Sequence, residues 1–316
     1  MSDSRIFNYI WIAGIIVGLC LLATPNTLQA EGHFIPGLQS SRDNAAKATG
    51  YEFKLNSFYY SSDRYKNSDG DKVSSLPAGG SQFEPNVDIF GFIPSFSYRS
   101  NFKILGAKYG ASIAPYFGTT SIGASTIVAS SGVEPSDSNF GIGDLYFQPL
   151  LLVWGQKKGD FAFSYGVHAP VGEFDNNDRD NIGLGYWSNE IELTALGYWD
   201  ENKVTAFSFM GTFEINSEQR GSDYRPGNNM AIELGISHKA TEMIDFGVTA
   251  YHYWQVSGDK GGNILFPGRE RTHGFGGRLA FHLDEGASVF LRFLTEVGAR
   301  SRFEANLATV NISMPL

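Results

Sequence analysis

Beyond residue 50, half-apolar segments of strand length are separated by gaps that alternate strictly between short and long. The short gaps are polar and rich in turn-forming residues; they are residues 99–103, 155–160, 200–203, 239–242 and 284–286. The long gaps are residues 62–85, 118–139, 172–185, 217–227, 257–270 and 298–302. This sorting is typical of transmembrane β-barrels, which have tight periplasmic turns and long outer loops. It predicts an all-β, antiparallel up-and-down barrel of about twelve strands, with both termini in the periplasm.

The segments alternate with the period of two expected of strands. Phe161, Phe163 and Tyr165 alternate with Ala162, Ser164 and Gly166, and the later segments repeat this pattern of one apolar and one small or polar face. In the segment after residue 87 two registers compete, and we favour the one that turns Phe90, Phe92, Phe96 and Tyr98 outward.

A soluble β-sandwich would alternate in the same way, with its apolar face turned inward. Two features favour the membrane instead. A sandwich gives no reason for loops to sort by length along the chain. In addition, Trp154 and Trp199 fall beside short turns while Trp187 and Trp254 fall beside long loops. These four tryptophans are therefore predicted to form an aromatic girdle at the two membrane interfaces.

The first thirty residues have the features of a targeting sequence. Arg5 precedes an apolar run over residues 9–23, and a polar stretch ends at Leu28-Gln29-Ala30. We expect residues 1–30 to be a signal peptide cleaved after Ala30. An uncleaved anchor is the alternative, but the run is shorter than the roughly 20 residues that a spanning helix needs. Cleavage would remove Cys20, the single cysteine, and with it any disulfide or thiolate metal site.

Composition narrows the possible partners. After Ala30 no apolar stretch approaches helix-spanning length, so membrane residence must depend on strands. The formal charge of −9 argues against nucleic acid. We expect outer-membrane lipid and lipopolysaccharide around the barrel, and the barrel-assembly machinery as the reader of an alternating last strand that ends at Leu316. A small-molecule solute is the expected ligand, and no cofactor or metal is expected.

Charged residues within the strands should point inward, because a Lys or Arg facing lipid at mid-membrane costs about 2–4 kcal/mol. The predicted pore-lining set is Lys54, Lys108, Asp144, His168, Glu190, Glu192, Glu214, Glu233, Asp245, Arg278, Arg292 and Glu296. Acidic members concentrate in the sixth to eighth strands, and basic members in the first, tenth and eleventh. One hypothesis is a transverse field across the lumen that orients dipolar solutes. The alternative is that these groups pair with one another or with the N-terminal segment.

The N-terminal segment, residues 31–50, has no strand pattern, and Pro36-Gly37 predicts a turn within it. It could fold back into the lumen as a plug or remain a disordered periplasmic tail. Residues 51–316 are expected to form the barrel as one domain.

Several motifs carry a family resemblance: "GHFIPG", "FGIGDLYFQPLLLVWG", "APVGEFD", "GLGYWSNEIELTALGYW", "DYRPGNNMAIELGISH" and "YHYWQVSGD". In this order they resemble the outer-membrane proteins of the phenol-degradation meta-pathway family. The resemblance implies a barrel that moves small, often aromatic or hydrophobic, compounds across the outer membrane. Val171 and Pro226 depart from the expected Thr and Ser, which bears on the substrate more than on the fold.

Passive uptake of a small hydrophobic or aromatic compound is therefore the expected function, because the inward face is kept polar and charged. A structural or adhesive barrel acting through its long loops is the alternative. An enzyme is not expected: His252, beside Tyr251 and Tyr253 near the rim, does not have the serine–histidine spacing of a barrel phospholipase, and Ser257 belongs to a loop. The acidic loops lack the ordered ligands of a calcium-binding EF-hand.

Overall fold

The computed structural model describes residues 32–39, 42, 49–74, 82–127, 140–176, 181–261 and 268–316. The signal peptide expected at residues 1–30 lies outside them. The strands are β1 (Gly50–Ser62), β2 (Tyr65–Lys66), β3 (Gln82–Ile104), β4 (Ala107–Ile127), β5 (Phe140–Gly155), β6 (Gly159–Ala169), β7 (Ser188–Tyr198), β8 (Thr205–Asn216), β9 (Asn229–Lys239), β10 (Ile244–Gln255), β11 (Arg271–His282), β12 (Ser288–Arg300), β13 (Arg302–Phe303) and β14 (Asn306–Pro315).

All strands except β2 and β13 form one closed antiparallel barrel in which each strand pairs with its neighbours along the chain. The first and last strands close it, since β1 pairs with β14 from Glu52–Pro315 to Ser61–Asn306. The short strands β2 and β13 pair with each other in a separate small sheet. The prediction of an up-and-down barrel of about twelve strands is confirmed. No helix among the described residues is long and apolar enough to cross a bilayer.

The connections at the two ends of the barrel differ in length, as the sequence predicts. One end carries the short connections, including the 3-10 helix Asp284–Gly286 between β11 and β12. Both chain ends of the barrel lie at this end, where the Leu316 amide donates to the Tyr51 carbonyl oxygen. Assignment of this end to the periplasm stays a prediction.

The first hairpin differs from the sequence-based boundaries. Residues 99–103 belong to β3, and the turn lies at Leu105 and Gly106, whose φ angles are 51° and 82°. Positive φ at both central residues is what a two-residue hairpin turn requires. At the other end β4 continues to Ile127 instead of stopping at Gly118. The composition at these two places suggested turns. In the structure each strand continues, because its residues still pair with those of the neighbouring strand.

The outer wall is apolar. Exposed side chains on this face include Phe96, Phe147, Phe209, Leu234 and Phe293. In β3 the favoured register is confirmed, because Phe96 and Tyr98 are exposed while Val87 and Ile89 are buried.

The interior contains the core. Its main cluster lies in the half of the barrel nearer the long loops and joins Phe58, Tyr60, Val87, Tyr251, Tyr253, Leu294, Phe303 and Leu307 with Leu38 of the N-terminal segment. The β2–β13 sheet adds Tyr65, whose ring meets Phe303 edge-on at 5.2 Å between centroids. The apolar core of the interior therefore lies toward the long loops.

Candidate functional site in the barrel lumen

Residues 32–39 run through the interior, and the inner wall satisfies their backbone polar groups. The Phe34 amide donates to Glu214 Oε2 at 2.9 Å, and the Gly37 amide donates to Glu233 Oε2 at 3.1 Å. Arg292 Nη1 donates to the Gly37 carbonyl oxygen at 2.9 Å. Carboxylates facing amides and a guanidinium facing a carbonyl form charge-assisted hydrogen bonds. The charged side chains of β8, β9 and β12 thus hold this segment in place.

Arg42 extends the same arrangement toward the short-turn end. Its Nη2 donates to the Lys203 carbonyl oxygen at 3.0 Å, and its Nη1 lies 3.5 Å from Asp245. Arg278 Nη1 lies 2.8 Å from the same carboxylate group. In these contacts the inner charged groups pair with one another and with the N-terminal segment. This is the arrangement given above as the alternative to a transverse field across the lumen.

His33 connects the segment to β5, β6 and β7. Its Nε2 lies 2.9 Å from Asp144 Oδ2 and its Nδ1 lies 2.8 Å from Ser188 Oγ, while its ring stacks on His168 at 4.5 Å. Asp144 also accepts the amides of Gly172 and Leu184 from the loop between β6 and β7. One buried carboxylate therefore orders the segment and a long loop together.

A cavity of about 140 Å³, here called the upper chamber, lies between this segment and the long-loop end. Most of its lining is aromatic and aliphatic: Phe34, Ile35, Pro36, Phe58, Tyr60, Ile89, Ile93, Ala114, Tyr116, Tyr146, Ile182, Leu184, Tyr251 and Tyr253. Its remaining lining residues are Gly32, His33, Thr120, Asp144, His168, Asn181, Glu296 and Arg302. An engineered apolar cavity of about 150 Å³ holds benzene. The upper chamber has the volume and the lining that suit a single aromatic ring.

A polar network borders the upper chamber on one side. Glu296 accepts from the Tyr251 hydroxyl at 2.8 Å and lies 3.3 Å from Arg302 Nη2, whose guanidinium also lies over the Tyr253 ring. Burial disfavours the Arg302 cation, but Glu296 and the other acidic neighbours outweigh it and raise the pKa of Arg302 above its usual value. Arg302 therefore stays charged and holds the tyrosine rings in position.

Two further cavities continue toward the short turns. The middle chamber, of about 130 Å³, shares Ile93, Ala114 and His168 with the upper chamber, but also has polar walls that include Lys54, Arg99, Glu190 and Glu192. The lower chamber, of about 430 Å³, is lined by charged groups that include Arg42, Asp245 and Arg278. The share of aromatic and aliphatic residues in the lining thus falls from the upper chamber to the lower one.

The predicted pore-lining residues fall into distinct groups. Asp144, His168 and Glu296 line the upper chamber, Lys54, Glu190 and Glu192 the middle one, and Asp245 and Arg278 the lower one. Glu214, Glu233 and Arg292 hold the N-terminal segment. Lys108 lies half-buried near the first short turn. Contact of these residues with a solute stays a prediction.

The tryptophans lie near the strand ends. The Trp154 indole donates to the Leu105 carbonyl oxygen at the first short turn, and Trp199 is exposed at another. Trp187 and Trp254 lie at the long-loop end, where Trp254 stacks on His252. Their role as a girdle stays a prediction.

Sequence analysis missed the aromatic residues of the upper chamber. The sequence places Tyr251 and Tyr253 beside His252 near the rim, but in the structure both tyrosines face inward and His252 between them faces outward. Phe58 and Tyr60 also lie on the inner face. The signal was present in the alternation, because aromatic residues on the otherwise polar face of a strand mark an apolar part of the lumen. In the described parts of the chain, no three metal-ligating side chains converge on one point.

Comparison with solved structures identifies similar barrels. The COG4313 outer membrane channel from Pseudomonas putida F1 aligns with a TM-score of 0.71 at 14% identity, over 90% of this chain and 100% of that chain. Weaker matches are the β domain of the Bordetella autotransporter BrkA (TM-score 0.49, 8% identity, 85% of this chain and 100% of that chain) and the CymD monoaromatic hydrocarbon channel (TM-score 0.42, 11% identity, 90% of this chain and 94% of that chain). A search of curated proteins finds no match.

A closed antiparallel barrel with an apolar outer wall is the form in which strands cross the bacterial outer membrane, and this places the protein there. The model of the family described as "Putative MetA-pathway of phenol degradation" matches residues 62–312, which is most of the chain and nearly all of the barrel. The protein therefore belongs to this family of outer-membrane β-barrels.

Proposed function

We propose that this protein is an outer-membrane channel for the passive uptake of small hydrophobic compounds, with single-ring aromatic compounds as the best-fitting class. The upper chamber carries this proposal, because its 140 Å³ and its aromatic and aliphatic lining suit one benzene-sized ring. The fold shared with the COG4313 channel supports a channel rather than an enzyme or an adhesive barrel.

The N-terminal segment, in this proposal, constricts the lumen as a plug. Its hydrogen bonds go mainly to β8, β9, β12 and β14, through Glu214, Glu233, Arg292 and Asn311. The upper and middle chambers meet on the opposite side, where the walls of β3 and β4 supply Ile93 and Ala114 to both. A narrow passage along that wall would admit a flat ring and exclude a hydrated sugar.

Ala114→Phe tests the proposal, because a phenyl group at this position would fill space shared by the two chambers. The measurement is the initial rate of uptake of labelled toluene and of a labelled disaccharide by Gram-negative host cells that make the protein. We expect the wild-type chain to raise toluene uptake several-fold over empty cells without raising disaccharide uptake. Ala114→Phe should return toluene uptake to the background rate.

Ala250→Phe is the matched control, since Ala250 is exposed on the lipid-facing side of β10. It introduces the same side chain outside the lumen and should leave toluene uptake unchanged. If the wild-type chain passed neither compound, the structural or adhesive alternative would be favoured. Equal toluene uptake by the wild-type chain and the Ala114→Phe variant would remove the upper chamber from the route.

A further inference from the structure

The outer wall of the barrel carries a group of arginines at its long-loop end. Arg271, the first residue of β11, is exposed, and it pairs in register with Arg300 of β12 on one side and Trp254 of β10 on the other. Arg269 is also exposed, whereas Glu270 between the two arginines is buried. Residues that are opposed in register share a face of the sheet. Arg269, Arg271 and Arg300, here called the rim patch, therefore lie together where the outer wall meets the long loops.

The rim patch keeps its positive charge uncompensated within the described parts of the chain, where none of its three arginines forms an ion pair. Arg300 Nη1 donates only to the Ser68 carbonyl oxygen, at 3.4 Å. Asp69 and Asp71, in the same turn as Ser68, form no ion pair with it. Like charges directly opposite each other in a sheet are destabilising. The opposed pair of Arg271 and Arg300 would therefore be stabilised by an anion bound between them.

The inner face at the same height is arranged differently. Arg302, two residues beyond Arg300, lies 3.4 Å from Glu270 and 3.3 Å from Glu296. Both carboxylates are buried inside the barrel. The acidic residues of this region thus neutralise the inner arginine and leave the rim patch to a partner from outside the chain.

The rim patch lies at the boundary between the apolar wall and the loops. Trp254, opposite Arg271, stacks on His252 at 4.8 Å between centroids, and His252 stacks on His273 at 4.3 Å. Farther along β11 toward the middle of the wall, Phe275 is exposed. Tryptophan at the end of a membrane strand marks the level of the lipid headgroups. A lipid beside β11 would have its acyl chains on Phe275 and its headgroup at Arg271.

The chemistry of the rim patch selects the headgroup. A guanidinium matches the oxygens of a phosphate group with two parallel hydrogen bonds, and basic clusters at the membrane surface bind anionic headgroups. In the outer leaflet of a bacterial outer membrane the main lipid is lipopolysaccharide, whose lipid A anchor is a phosphorylated disaccharide. The flat stack of Trp254, His252 and His273 next to the arginines offers a surface on which a sugar ring can pack.

We propose that the rim patch on β11 and β12 is a binding site for a phosphate group of lipid A. This inference rests on the predicted placement of the long loops outside the cell, and it is independent of which solute the lumen carries. The site fixes one lipopolysaccharide molecule against the β10–β12 side of the barrel.

Arg271→Gln/Arg300→Gln tests the site, because it removes the opposed pair of charges and keeps the side chains polar. Arg220→Gln/Lys260→Gln is the matched control, since both residues are exposed in the long loops and lie outside the rim patch. Native mass spectrometry of the purified mature protein in detergent would measure the Kd for diphosphoryl lipid A. The shift in gel mobility on heating would show that each variant is folded.

We expect the rim variant to bind diphosphoryl lipid A at least tenfold more weakly than the wild-type chain, and the control variant to bind it equally well. The wild-type chain should bind lipid A without phosphate groups as weakly as the rim variant does. Phosphatidylglycerol, which is also anionic but has no sugar ring, should bind at least tenfold more weakly than diphosphoryl lipid A. Inorganic phosphate at millimolar concentration should not displace the lipid.

An unchanged Kd in a folded rim variant would overturn the site. Equal binding of lipid A with and without phosphate would also overturn it, because the lipid would then be held by its acyl chains alone. Equal binding of phosphatidylglycerol would show a surface for any anionic lipid, and displacement by inorganic phosphate would show a site for the free ion. Toluene uptake enters none of these measurements, so a failure here leaves the proposed function standing.

Discussion

Two ion pairs of nearly equal length show how burial decides the importance of a charge in this barrel. Arg278 and Asp245 lie 2.8 Å apart with 4% and 0% of their side chains exposed. Lys157 and Glu201 lie 2.9 Å apart at a short turn with 75% and 73% exposed. Solvent screens an exposed pair almost completely, whereas a buried charge that loses its partner has no water to replace it.

Asp245→Asn should therefore destabilise the barrel strongly. The substitution leaves both Arg278 and Arg42 without this carboxylate, and breaking a buried pair costs about 3–5 kcal/mol. The free energy of unfolding, measured by urea titration in lipid vesicles, would report the loss. Glu201→Gln should give no measurable change, and Asp245→Asn/Arg278→Met should recover part of the loss. A double variant as unstable as the single one would contradict the assignment of the cost to the unpaired Arg278.

At the scale of the strands, glycines shape the upper chamber. The Tyr116 ring lies flat against the inner wall, over Gly91 of β3, Gly118 of β4 and Gly143 of β5. A Cβ atom at any of the three would collide with this ring. Small residues on three adjacent strands thus form the recess that keeps Tyr116 out of the central space.

Gly143→Ala should push the Tyr116 ring into the upper chamber and slow toluene uptake several-fold. Overpacking of this kind also costs about 1–3 kcal/mol of stability. Gly197→Ala in β7 is the control, because a Cβ at that position meets no other atom within 4 Å. Adding Tyr116→Leu to Gly143→Ala should restore uptake. If uptake stayed low in that double variant, displacement of Tyr116 would not be the cause.

For the whole molecule, the N-terminal segment fills part of the interior and joins distant strands. It places His33, Phe34 and Leu38 inside the barrel and contacts strands from β5 to β14. Its removal would leave Glu214, Glu233 and Arg292 facing an open lumen, where water can hydrate them. Every barrel strand pairs with both of its neighbours independently of the segment, so closure of the barrel should not depend on it.

Deletion of residues 31–48 should therefore raise single-channel ion conductance several-fold and leave the barrel folded. Planar-bilayer recording measures the conductance. The shift in gel mobility between heated and unheated samples shows whether the barrel is intact. The full chain with Lys157→Gln, a change at an exposed turn, is the control. An intact deletion variant that conducts no more than the full chain would show that the segment does not constrict the lumen.

The sequence predicted the barrel, its strand number and the sorting of its loops, because these depend on local alternation and spacing. Phe161 and Ser164 could be assigned to opposite faces from their positions alone. The boundaries of β3 and β4 were less predictable, since composition around residues 99–103 resembles a turn while the partner strand continues the pairing. The plug and the free tail could not be separated from sequence, because the partners of Phe34 and Gly37 lie about two hundred positions away, in β8 and β9.

By itself the sequence determined which side of each strand meets hydrocarbon, because a strand in a barrel wall must carry an apolar side chain at every second position. Hydrocarbon also offers no hydrogen-bond partner to the backbone, so the strands must pair with one another. Only the tertiary structure decided which inner side chains meet one another. Asp144 contacts His33 across 111 positions, and Arg292 contacts Gly37 across 255. Such contacts depend on barrel closure and on the path of the N-terminal segment, and neither leaves a local pattern in the chain.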